Sequence, residues 1–222
     1  MDYTHNFTHI YSQVAECKKR YNQSHPIDII AVSKYQSIEQ IRALHSCGQI
    51  AFGENKVQDL KLKYASLQSL NVEWHFIGTL QENKINALIA LKPKLLHSLD
   101  SLKLAHALQK RLESKGQTMR ALLQLNTSFE ASKSGVYPNE AIGVYKQILR
   151  ECKNINLQGV MTIGINTNDR KAIKQSFALA KEIFDTLQSD GAEILSMGMS
   201  GDFDIAIECG ATILRIGSKF FV

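Results

Sequence analysis

Short apolar runs rich in β-branched residues alternate along this chain with longer segments whose apolar positions recur every three or four residues. The short runs predict strands over 27–32, 50–52, 72–77, 94–98, 120–125, 157–163, 193–197 and 212–216. The longer segments predict an opening helix over about 4–22, then helices over 38–45, 58–67, 83–91, 102–112, 140–152, 170–187 and 204–208. Eight strands separated by helices in a chain of 222 residues fit an α/β fold, a closed (β/α)8 TIM barrel near its lower size limit, spanning 1–222 as one domain. An open doubly wound sheet is the alternative. The first strand lacks the G-x-G-x-x-G turn of a dinucleotide fold, which favours the barrel.

Active sites of such barrels sit at the C-terminal ends of the strands. The residues just past each predicted strand are Lys34, Glu54-Asn55, Gly78-Thr79, Asp100, Asn126, Thr162-Ile163-Gly164, Gly198-Met199-Ser200-Gly201, and Arg215 with Gly217-Ser218. They are polar and glycine-rich, unlike the strand interiors, and predict one shared mouth. Lys34 ends the apolar run Ile29-Ile30-Ala31-Val32-Ser33. Its ammonium must reach solvent, pair with an anion, or lose its proton and become a nucleophile suited to Schiff bases.

Barrels often bind phosphate through the loops after strands seven and eight. Here the seventh loop is Gly198-Met199-Ser200-Gly201-Asp202, leading into a short helix, and the eighth strand delivers Arg215-Ile216-Gly217-Ser218. Taken singly, the glycines read equally well as turn formers, Ser200 as a helix cap and Arg215 as an ion-pair partner. Both loops at the expected strand ends make a phosphate cup. Strand one neighbours strand eight in a closed barrel. A ligand with a phosphate at one end and an aldehyde at the other would reach Lys34, and pyridoxal 5′-phosphate (PLP) has that shape.

Composition narrows the picture further. Hydrophobic residues make up 44% and charged residues 21%, as in soluble globular proteins, and no apolar run approaches a membrane span. The N-terminus shows no signal-peptide pattern, and the cysteines Cys17, Cys47, Cys152 and Cys209 form no CxxC pair, so free thiols in the cytoplasm and no metal site are expected. The net charge is +5, but the basic residues are scattered along helices close to acidic ones. That pattern argues for solvated faces, with no nucleic-acid partner.

Ala31-Val32-Ser33-Lys34, Phe52-Gly53-Glu54-Asn55, Trp74 through Gln81, Ser98-Leu99-Asp100-Ser101, Ser132-Lys133-Ser134-Gly135, Gly159 through Ile163, Ser196 through Ser200 and Arg215 through Ser218 follow in order. In these motifs the chain resembles the pyridoxal phosphate homeostasis protein family, single-domain relatives of alanine racemase. The resemblance implies a barrel of the alanine racemase N-terminal kind (PLP fold type III), with PLP held as a Schiff base on Lys34. It implies phosphate contacts from Ser200, Gly217 and Ser218, Arg215 facing the pyridine nitrogen, and Asn55 near the cofactor. His75, Met161 and Lys133 are implied around the pocket. Thr79, where the family often has His, Lys56, and the ending Phe220-Phe221-Val222 depart from the family's pattern.

A cationic arginine beside the pyridine nitrogen disfavours its protonation and weakens PLP as an electron sink. Racemases of this fold add a tyrosine from a second domain, which this sequence does not carry after its eighth strand. Tyr35, next to Lys34, is expected to pack on the barrel rim. The resemblance therefore implies a monomeric, non-enzymatic PLP carrier in vitamin B6 homeostasis, with PLP-accepting apo-enzymes as possible partners. A PLP-dependent racemase or lyase, and a cofactor-free Schiff-base aldolase, are the alternatives.

Overall fold

The computed structural model describes residues 2–130 and 133–221. Ser132 of the Ser132–Gly135 motif and Val222 lie outside the described residues. Within them, eight parallel strands close into a barrel in chain order. The strands are β1 (Asp28–Val32), β2 (Ala51–Glu54), β3 (Glu73–Phe76), β4 (Leu95–Leu99), β5 (Met119–Leu125), β6 (Ile155–Thr162), β7 (Ile194–Ser196) and β8 (Ile213–Ile216). Closure is made by β1 against β8, with Ile30 opposite Arg215 and Ala31 opposite Ile216.

The predicted helices form close to their expected places: α1 (Tyr3–Arg20), α2 (Ile38–Ser46), α3 (Val57–Ser66), α4 (Ile85–Leu91), α5 (Leu102–Glu113), α6 (Pro138–Glu151), α7 (Arg170–Leu187) and α8 (Phe203–Glu208). Local chemistry sets several starts. Ser37 and Gln40 make a reciprocal capping box at α2, Asp169 caps α7, and Pro138 occupies the first turn of α6. A last turn, α9 (Ser218–Phe221), was not anticipated from the sequence. Four residues are too few for helical periodicity to show, yet Phe220 and Phe221 are buried and Phe221 meets Tyr3 of α1 edge to face.

Alternation along each strand sends one set of side chains outward to the helices and the other into the barrel. The outward set builds the main core with the helices; Phe52, Trp74, Leu96, Leu123, Leu195 and Leu214 are examples. A smaller cluster of Ile30, Leu95, Leu122, Met161 and Ile213 joins the arc β8-β1 to the arc β4-β5-β6 on the opposite side of the sheet, so it fills the barrel interior. Met161, implied at the pocket by the resemblance, is thus a core residue. The four cysteines are free, no group of side chains among the described residues could hold a metal ion, and no described helix is long and apolar enough to cross a membrane.

Candidate functional site

The sequence-predicted site residues come together on one arc of the barrel mouth. Lys34 and Asn55 directly follow β1 and β2, Ser200 lies in the loop after β7, Arg215 points from β8, and Gly217-Ser218 follow it. In the closed order these strands run β7-β8-β1-β2 without a break. The β8 loop sits against β1: a Cβ built on Gly217 would lie 3.5 Å from that of Val32.

Lys34 stands in an exposed turn, and among the described residues no carboxylate lies within ion-pair distance of it. Tyr35 is not packed on the rim; it is 77% exposed, with a positive φ of 68°, and its ring centroid lies 5.9 Å from Lys34 Nζ. The turn takes Tyr35 back out of the strand, so strand alternation no longer directs its side chain.

Beneath the turn, the buried Ser33 hydroxyl donates to Glu54 Oε1 (2.8 Å), and Lys63 Nζ of α3 donates to that same oxygen (2.6 Å) and to the Ser33 carbonyl (2.8 Å). This buried pair fixes the backbone on which Lys34 rides. Sequence reading missed it. The only signal was a lysine at a helix position otherwise facing the core, next to Leu60 and Leu67 in spacing.

Asn55 is half-buried, and its buried Oδ1 has no hydrogen-bond partner among the described residues. Its carbonyl oxygen lies 2.0 Å from where a Gly78 Cβ would be, so the β3 loop can pass only as glycine. On the other side of the arc, Gly198 has φ +90°, and a Cβ there would lie 2.5 Å from that of Ala206, which fixes the tight start of the β7 loop. Asp202 accepts from the Met199 amide, and the Ser200 hydroxyl accepts from Gly217 N–H (3.1 Å), tying the β7 and β8 loops together.

Arg215 is buried inside the barrel. Its Nη1 donates to Ser196 Oγ (2.7 Å) and its Nη2 to the Thr162 carbonyl (2.8 Å). Burial pulls its pKa down to about 10, against the pull of Asp202. Behind it lie His97, whose Nδ1 is 3.0 Å from Ser196 Oγ, and His75, whose Nδ1 is 3.0 Å from His97 Nε2. Burial holds both imidazoles neutral: His75 is lowered to about 3, with Lys94 and Arg120 adding to the effect, and His97 is held well below its usual value, with His75 and Arg215 adding. His75, implied at the pocket, instead lies deep in the barrel and lines a cavity of about 300 Å³ at the opposite end, among Glu73, Lys94 and Arg120. Lys133 borders a separate mouth cavity of about 210 Å³ beside β5 and β6, where it donates to Glu130 Oε1 (2.8 Å) and the Gly164 carbonyl (3.2 Å). Asn126 serves the loop there, donating to the Glu130 and Lys133 carbonyls.

A closed parallel barrel with an exposed lysine after β1 and paired polar loops after β7 and β8 is the architecture of the alanine racemase N-terminal domain. The model of that family, "Alanine racemase, N-terminal domain", matches residues 6–222. The chain is 52% identical over 221 residues to a pyridoxal phosphate homeostasis protein of Helicobacter pylori, covering 100% of this chain and 99% of the relative. It belongs to the pyridoxal phosphate homeostasis protein family. Among solved structures, an unknown protein from Bifidobacterium adolescentis superposes with a TM-score of 0.93 at 30% identity, covering 99% of this chain and 94% of that one. PipY of Synechococcus elongatus, solved with PLP bound, superposes with a TM-score of 0.81 at 30% identity, covering 94% and 100%.

Proposed function

We propose that this protein binds PLP reversibly and serves vitamin B6 homeostasis as a single-domain, monomeric, cytoplasmic carrier without robust turnover of amino acids, offering PLP to acceptor apo-enzymes. One observation carries the reading: the Lys34 amine, the joined Ser200 and Gly217 loops and the Arg215 guanidinium lie on consecutive strands at one end of the barrel. The names of the relatives and the PLP in the PipY structure agree with it.

The residues present fit the cofactor. Lys34 offers an amine that no carboxylate among the described residues ties down. Ser200 and Ser218 offer hydroxyl donors for a phosphate, and Gly217, whose N–H holds the Ser200 oxygen, turns that hydroxyl's own hydrogen outward to donate. Asn55 Oδ1, buried and without a partner among the described residues, can accept from a ligand donor. Bound PLP supplies an aldehyde for a Schiff base and a pyridine ring that can act as an electron sink. In this reading Arg215 faces the ring nitrogen as a cation and disfavours its protonation, which keeps that sink weak and suits holding over turnover.

The test is the visible absorption of purified protein titrated with PLP, followed by borohydride reduction and peptide mapping, alongside Lys34→Ala. The expected result is a reducible band mapping to Lys34 and absent from the variant, with no turnover of amino acids. No band, or attachment elsewhere with Lys34 unmodified, overturns the reading in favour of a cofactor-free aldolase. Lys34-dependent turnover of an amino acid overturns it in favour of an enzyme.

A further inference from the structure

The chain Arg215–Ser196–His97–His75 runs down the barrel, with links of 2.7, 3.0 and 3.0 Å. Its direction follows from donor arithmetic. A guanidinium only donates, so Ser196 Oγ accepts from Arg215. The Ser196 hydroxyl hydrogen then has one acceptor among the described residues, His97 Nδ1. An imidazole accepting at Nδ1 carries its hydrogen at Nε2, and His97 Nε2 therefore donates to His75 Nδ1. His75 in turn carries its hydrogen at Nε2, toward the cavity at the barrel floor that it lines. Every oxygen or nitrogen lone pair in the chain faces Arg215 and every hydrogen points away. A buried cation is thus solvated by a line of oriented neutral dipoles, each polarising the next.

We propose that His97, backed by His75, is a positioning residue for Arg215: by accepting the Ser196 hydroxyl it orders the dipole that holds the guanidinium charged and aimed at the ligand site. The proposal rests on the reading that Arg215 faces bound PLP. Of the strands that carry these four residues, β4 and β8 place Leu95 and Ile213 in the apolar inner cluster and β7 packs Ile194 against it, so the polar line is an exception that packing alone does not require.

Two measurements separate this proposal from the reading it rests on. The first is 15N NMR of the two imidazoles in protein free of PLP. The expected result is that both are neutral with the hydrogen on Nε2 between pH 6 and 8; a hydrogen on Nδ1 of His97 reverses the chain and overturns the proposal whether or not PLP binds. The second compares His97→Asn with His97→Leu. These side chains are nearly isosteric and leave the same space unfilled, but only Asn presents an oxygen near the position of Nδ1 to accept the Ser196 hydroxyl. With Leu, PLP affinity falls about tenfold, the loss of one hydrogen bond in a charge-bearing chain, and the absorption maximum of the bound cofactor and its pH profile shift. With Asn both stay near those of the parent. Equal behaviour of the two variants means His97 only fills space and overturns the proposal. Absence of PLP binding in the parent protein overturns the Lys34 reading, and the NMR result then stands as a statement about the fold alone.

Discussion

Two buried neutral histidines make stability depend on pH in a calculable way. A base whose pKa is lower folded than unfolded binds fewer protons in the folded state, so folding stability rises with pH. For His75 and His97 the contribution is complete above the unfolded value of about 6.5 and is lost as pH falls from there toward the folded value, about 3 for His75. At pH 5 each histidine lies about 1.5 units below its unfolded pKa. At about 1.4 kcal/mol per unit, each then costs about 2 kcal/mol relative to pH 7, or about 4 kcal/mol for the pair. That is a large part of the stability of an ordinary domain. Asp100 and Asp202, whose pKa values burial raises, act in the opposite sense as pH falls, so the clean quantity is a difference between variants. Urea unfolding at pH 5, 6 and 7, followed by the fluorescence of the single tryptophan, buried Trp74 beside His75, measures it. His97→Leu removes one of the two titrations, so its stability should fall between pH 7 and 5 by about 2 kcal/mol less than that of the parent. Parallel pH profiles for the two proteins would refute the assignment of His97 as a buried neutral base.

Lys63→Met should cost about 3–5 kcal/mol in the same unfolding assay, because it leaves the fully buried Glu54 carboxylate without its cation; adding Glu54→Gln should recover part of that loss, and no recovery would show that the pair does not act as a unit. Gly78→Ala drives a methyl into the Asn55 carbonyl oxygen 2.0 Å away, so a protein that still folds should bind PLP about tenfold or more weakly; unchanged affinity would remove Asn55 from the site.

The barrel and its mouth were legible in the sequence because both rest on local signals. Short apolar runs alternating with segments of period 3.6 carry the element order, and the polar residues just past the strand ends point to Lys34, Asn55, Ser200 and Gly217-Ser218 at one mouth. The supports beneath them were not legible, because they depend on closure. Lys63 reads as one more solvated lysine on α3 until β1 and β2 pair, which brings Ser33 and Glu54 under it. Tyr35 leaves its expected place because the chain turns through a positive φ at that residue, which the pattern of apolar positions does not encode.

The histidines show most clearly why the interior was hidden. Leu95-Leu96-His97-Ser98-Leu99 reads as an apolar strand with an interruption, and His75 lies between two aromatic residues. In either strand alone a satisfied core histidine is the plain reading. Only the closed barrel sets β3, β4, β7 and β8 around one axis, so that side chains over a hundred residues apart form a single hydrogen-bonded line ending on a buried arginine. A buried guanidinium with no carboxylate bonded to it among the described residues is costly unless dipoles replace the lost water. The barrel supplies them from the Thr162 carbonyl on one side and from Ser196 on the other. Replacing His97 by a smaller apolar residue leaves the Ser196 hydroxyl without its acceptor and part of the barrel interior unfilled, and so leaves Arg215 less securely held. Loss of stability together with loss of ligand affinity, both recovered in part by His97→Asn, is the combination this arrangement predicts for His97→Leu, measured at a pH above 6.5 where the histidines' own titration no longer contributes.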